Sequence, residues 1–72
     1  MDKRKFQKRL GKHIAALRGE KGLSQVEFGY LIEMLKQNVN CLENGKSNPT
    51  AFTLYKISKA LEIPFPEILF FE

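Results

Sequence analysis

Two short helices in close succession constrain this chain more than any other feature. Apolar residues recur at helical spacing at Phe28, Leu31 and Ile32, and again at Val39 and Leu42, with Glu33, Met34 and Leu35 between the two sets. Ser24, with Glu27 three residues on, has the pattern of a capping box and opens a helix over about 25–32. A second helix is expected over about 36–44, with Gly45 placed to end it in a left-handed conformation. Val39 and Leu42 form the inner stripe of that second helix. Lys36, Gln37, Asn40, Cys41 and Asn44 then fall on the opposite face, a surface of amide and cationic groups without a carboxylate. Such a face suits the major groove of duplex DNA, where Asn and Gln pair with adenine and Lys with guanine.

At these positions the chain resembles a known family. Ser24-Gln25, Val39, Leu42-Glu43-Asn44-Gly45-Lys46 and Asn48-Pro49 are similar to the lambda-repressor-like helix-turn-helix domains of phage repressors and bacterial XRE-type regulators. The resemblance runs without a gap from about Leu10 to Leu69. It implies an all-α, compact five-helix domain over residues 1–72, with the helix-turn-helix at about 24–44. The function implied is a sequence-specific, double-stranded-DNA-binding transcriptional regulator whose recognition helix, about 36–44, enters the major groove. Lys36, Gln37, Asn40 and Cys41 are the candidates for base-edge contacts. Gln25, Asn44, Lys46 and Ser47 are the phosphate-contact candidates carried over from matching positions, and Arg18 and Glu43 match a largely buried ion pair. Three positions depart from the pattern. Glu33 stands where a turn glycine is usual, Leu35 where a Ser or Thr cap is usual, and Gly29 where a small alanine is usual. At Glu33 either a left-handed backbone is kept, at a cost of about 1 kcal/mol or more, or the turn is rearranged. Leu35 loses a side-chain cap and is expected to pack on Val39 instead.

The remaining helices follow from periodicity. Phe6, Leu10, Ile14 and Leu17 mark a first helix over about 3–21, closed near Gly19 and Gly22. Thr50 caps a fourth helix over about 51–61 that buries Leu54, Ile57 and Leu61, with Ala60 as a small contact and Phe52 and Tyr55 off the stripe. Pro66 suits the first position of a short final helix. Residues 63–71 are rich in large apolar groups. Ile63, Phe65, Ile68 and Leu69 are expected to close the core, leaving Phe70 and Phe71 for a partner, most simply in a symmetric homodimer.

Composition bounds the rest. A chain of 72 residues supports one small domain, whose core seldom supplies more than about 3–5 kcal/mol of net stability. The formal charge is +4, but residues 1–21 carry +6 and the remainder −2. That basic third reads either as an attractor of polyanions or as a solvated helix face. No apolar run reaches the ~20 residues of a membrane span, and no apolar signal core follows the basic start, so a cytoplasmic setting is expected. One cysteine excludes an internal disulfide and multi-cysteine metal sites. His13 and Cys41 stand without catalytic companions, and neither a phosphate-binding glycine loop nor metal-ligand spacing is present. The expectation is therefore a protein that is not an enzyme and needs no cofactor, metal or small-molecule ligand. The alternative reading is a protein-interaction module, an antitoxin or accessory subunit, that keeps the fold and uses the apolar tail and Phe52 as its partner surface.

Overall fold

The computed structural model describes residues 1–71. They form four α-helices, α1 (Lys3–Glu20), α2 (Gln25–Ile32), α3 (Lys36–Glu43) and α4 (Ala51–Leu61), followed by a 3-10 helix, Phe65–Leu69. No strand occurs among the described residues. The fifth element is thus a 3-10 helix and not the fifth α-helix expected. Pro64 and Pro66 lack backbone N–H groups, and the segment ends within five residues, too few to propagate an α-helical ladder.

Each α-helix starts and stops for local reasons. The Asp2 carboxylate accepts from the Lys5 backbone N–H at 2.8 Å and so orders α1 from its first turn. Ser24 and Glu27 make the reciprocal capping box of α2, and Thr50 accepts from the Thr53 N–H at 3.1 Å to open α4. Hydrogen bonds from Ser24 hold the Glu27 carboxyl below its ordinary pKa. Only α3 opens without a side-chain cap: Leu35 occupies that position and is 64% exposed, so it does not bury itself over Val39. Every α-helix closes on a left-handed residue, Gly22, Glu33, Gly45 and Glu62 in turn. At Gly22, Gly45 and Glu62 the closing bonds are those of a Schellman motif, for example Lys46 N–H to Cys41 O at 2.9 Å with Gly45 N–H to Leu42 O at 3.1 Å.

The turn between α2 and α3 therefore keeps the left-handed geometry, with Glu33 at φ 60° and ψ 44°. The strain of a side chain there predicts that Glu33→Gly raises stability by about 1 kcal/mol, or roughly 4–8 °C in Tm. The Lys56–Glu33 ion pair lost with it is largely exposed on the glutamate side and contributes little. A urea titration showing no gain would mean the turn relaxes around Glu33 without strain. Gly29 serves the same turn: a Cβ there would lie 2.4 Å from the Met34 carbonyl oxygen.

The helices close a ring in space. α3 lies between α1 and α2, α4 packs on α2, and the 3-10 helix joins α4 back to α1. Inside the ring lie Leu10, Ile14, Phe28, Ile32, Val39, Leu42, Ile57, Leu61 and Ile68. Leu31, expected inside, is 48% exposed. The buried face of α2 is Phe28, Gly29 and Ile32, and Leu31 lies about 100° around the helix from its immediate neighbour Ile32. In the tail only Ile68 is fully buried, and Ile63 packs partly on the core. Phe65 and Leu69, also expected to close it, are 40% and 46% exposed.

The contact between α1 and α3 is backbone to backbone. A Cβ on Gly11 would lie 2.3 Å from the Leu42 carbonyl oxygen and 2.7 Å from that of Glu43, and one on Gly45 would lie 2.6 Å from the Lys8 Cα. Two glycines thus let α1 lie against the C-terminal end of α3, which fixes how far the outer face of α3 projects.

Candidate nucleic-acid interface

α3 turns Val39 and Leu42 into the core and leaves Lys36, Gln37, Asn38, Asn40, Cys41 and Asn44 exposed. Three of the four base-contact candidates, Lys36, Gln37 and Asn40, line one shallow depression together with Gln25 from the start of α2. The fourth, Cys41, is a free, exposed thiol. Asn38 was not among the sequence candidates. Its exposure places a further amide on the flank of the same surface, a position that helical periodicity alone assigns neither to the core nor to the outer face.

Beneath this face, one carboxylate organises the side chains. Arg18 Nε donates to Glu43 Oε2 at 2.6 Å and Arg18 Nη2 to Glu43 Oε1 at 3.1 Å, a two-pronged pair in which the Glu43 side chain is only 6% exposed. A third guanidinium donor, Nη1, reaches the Leu23 carbonyl at 2.7 Å. The hydrogen bond to Glu43 raises the Arg18 pKa above its ordinary value, against the opposing effect of burial. The only carboxylate on α3 is thus matched by a cation from within the protein.

Glu43 also positions Gln25, whose Nε2 donates to Glu43 Oε1 at 3.0 Å and lies 3.4 Å from Asn40 Oδ1. From the other side, Asn44 Nδ2 donates to the Asn40 backbone carbonyl at 2.8 Å and to Asn40 Oδ1 at 3.1 Å. A backbone carbonyl and a carboxylate only accept, so the two neighbouring amides must turn their nitrogens this way. The Asn40 oxygen is then engaged from both sides, and its Nδ2 is the group left for an incoming ligand. Asn40 is thereby arranged as a donor, suited to acceptors on a base edge such as guanine N7 and O6.

The phosphate candidates form two groups. Gln25 stands at the N-terminus of α2. Asn44, Lys46 and Ser47 follow α3 around Gly45, with Lys46 exposed and Ser47 half-buried. At the tail, Phe70 is 83% exposed. Phe71 is not: its ring lies 5.7 Å from that of Phe6 and 5.4 Å from that of His13, packed on the core of its own chain. His13 joins the same corner, its ring nitrogen donating to the Glu67 carbonyl at 2.9 Å. Of the two residues expected at a partner, Phe71 is thus taken by the chain itself. Among the described residues no group of His, Cys, Asp and Glu is placed to hold a metal ion, and no helix is long and apolar enough to cross a membrane.

Residues 14–68 match the family described as Helix-turn-helix. The chain is 39% identical over 69 residues to an uncharacterized HTH-type transcriptional regulator, y4dJ, of Sinorhizobium fredii, which covers 96% of this chain and 86% of that protein. Among solved structures it is similar to the restriction-modification controller protein C.AhdI from Aeromonas hydrophila, with a TM-score of 0.88 and 28% identity over 94% of this chain and 99% of that one. It is also similar to SinR, a master regulator for biofilm formation solved in complex with DNA, with a TM-score of 0.75 and 30% identity over 83% of this chain and 97% of that one.

Proposed function

The chain belongs to the helix-turn-helix family, and on that premise we propose that it is a transcription regulator that binds double-stranded DNA in a sequence-specific manner, with α3 in the major groove. The observation that carries this reading is the outer face of α3: exposed Lys36, Gln37, Asn40 and Cys41 with the one nearby carboxylate, Glu43, locked onto Arg18. A surface of this kind meets phosphate-lined walls without repulsion and offers donors and acceptors to base edges. In this reading Gln37 and Lys36 read bases beside the donor group of Asn40, with Cys41 in apolar contact. Lys46 and Ser47 hold phosphates after α3, and the backbone N–H of Gln25 holds one at the start of α2. The side-chain donors of Gln25 and Asn44 are spent on Glu43 and Asn40. SinR, similar over most of this chain, is a DNA-bound structure, which supports the same use of the fold here. The alternative of a protein-interaction module is not favoured, because the family and the curated relative are those of a transcription regulator.

The protein acts in this reading as a symmetric dimer through the tail, with Phe70 at the centre and Phe65 and Leu69 beside it. All three expose apolar surface on one short segment, and burial of the most exposed, Phe70, contributes about 1.5–3 kcal/mol. A dimer would read two half-sites about 34–36 Å apart, or a multiple of that.

Selection of bound sequences from a random duplex pool tests both statements. The expected result is an inverted repeat with that spacing. Gln37→Ala should relax the preference at one position of each half-site, while Lys46→Ala should weaken binding to all sequences and reduce the salt slope by about 1. Equal effects of the two variants on every sequence would contradict the contact assignment. A single unrepeated site would contradict the dimer.

A further inference from the structure

α1 carries more positive charge than the fold requires, and the glycine contact with α3 shows where that charge goes. Gly45 abuts the backbone of Lys8, and Gly11, three residues on, abuts the carbonyls of Leu42 and Glu43. α1 therefore crosses the C-terminal end of α3 at Lys8–Gly11, and its first turn projects beyond that crossing. The overhang is ordered helix, tied by the Asp2 cap and by the Phe6 N–H to the Asp2 carbonyl at 3.0 Å. Arg4 lies one helical turn before Lys8 on the same stripe, about 6 Å along the axis. Both are exposed. The ion pairs among the described residues are Arg18–Glu43, Lys21–Glu62 and Lys56–Glu33, so neither Arg4 nor Lys8 has a carboxylate partner there.

We infer that Arg4 and Lys8 form an additional phosphate-binding edge, extending the DNA contact from the Lys46–Ser47 loop along the overhang of α1. The inference rests on the DNA-binding reading above and adds residues outside the helix-turn-helix to it. Lys8 packs on Gly45, and Lys46 is the next residue in the chain. A backbone strand held by the loop therefore passes Lys8 first and Arg4 next. Phosphates on one strand advance about 3.4 Å along the duplex axis per step. The strand also winds around that axis, so successive phosphates stand farther apart than this rise, and two cations about 6 Å apart match neighbouring ones. Of the other α1 cations, Lys3 and Arg9 lie about 100° or more around the helix from both residues, Lys5 lies about 60° from Lys8, and Lys12 continues the stripe one turn on, past the crossing at Gly11.

The test compares two charge-matched double variants, Arg4→Ala/Lys8→Ala and Lys3→Ala/Arg9→Ala, on the duplex recovered by selection. Affinity is measured from low to moderate salt, and the circular dichroism melt confirms that each variant is folded. Each phosphate contact contributes about 0.9 to the slope of log affinity against log salt. The Arg4/Lys8 variant is expected to lose about 1.8 of slope and to leave base preference unchanged, while the Lys3/Arg9 variant loses less than half as much. Equal losses would reduce the effect to net charge, and an unchanged Arg4/Lys8 slope would remove the edge; either result overturns the inference and leaves the DNA-binding reading standing. Absence of salt-dependent duplex binding by the unaltered protein would instead overturn that reading, and this inference with it.

Discussion

Gly11→Ala is expected to unfold a large part of the protein population at ordinary temperature. The added methyl would meet the carbonyl oxygens of Leu42 and Glu43 at 2.3 and 2.7 Å, and both belong to helical backbone that cannot rotate away. Overpacking of this kind costs about 3 kcal/mol, and a single core in a domain of this size seldom supplies more than about 3–5 kcal/mol. The corresponding fall in Tm is on the order of 15 °C. Gly19→Ala is the matched control on the same helix. Nothing lies within 4 Å of its Cβ position, so the change should raise stability by about 0.5–1 kcal/mol through helix propensity and a less flexible unfolded chain. Thermal melts of the two variants should therefore move in opposite directions. If both rise, α1 and α3 are not in the close contact described.

Arg18→Ala should have an effect of similar size for a different reason. It leaves the nearly buried Glu43 carboxylate without its cation and frees the Leu23 carbonyl. Stranding one member of a buried pair costs about 3–5 kcal/mol. Removing both charges need not, because a well-packed apolar pair can replace an ion pair at little cost. Arg18→Met/Glu43→Leu is thus expected to recover most of the lost stability. It should not recover DNA affinity, since Gln25 loses the carboxylate oxygen that holds its amide 3.0 Å away. An Arg18→Ala protein as stable as the original would show that the pair contributes nothing. A double variant restored in both stability and affinity would show that Gln25 needs no such anchor.

Much of the candidate site was legible in the sequence because it depends on short-range rules. The capping box at Ser24–Glu27, the inner positions Val39 and Leu42, and the glycine end of α3 follow from spacing within a few residues, and the structure places each of them as expected. The sequence left the turn at Glu33 open between strain and rearrangement, and the structure shows the left-handed backbone retained. Other expectations depended on neighbours that periodicity does not name. Leu31 lies off the buried face of α2, which runs through Phe28, Gly29 and Ile32 and on which Val39 of α3 comes close to Gly29. Phe71 packs on Phe6 and His13, the corner where α1 passes the tail. Gly11 looked like an unremarked helix residue, since nothing local signals that a second backbone will rest on it.

The sequence by itself determined where helices begin and end and which stripe of each is apolar, because caps, glycine ends and a 3.6-residue period act within single segments. Only the tertiary structure decided which way the Asn40 amide faces, which tail phenylalanine stays outside, and on which side of α3 the cations of α1 emerge. Those outcomes rest on contacts between residues far apart in the chain: a carboxylate on α3 held by an arginine on α1, and two glycines that let those helices touch.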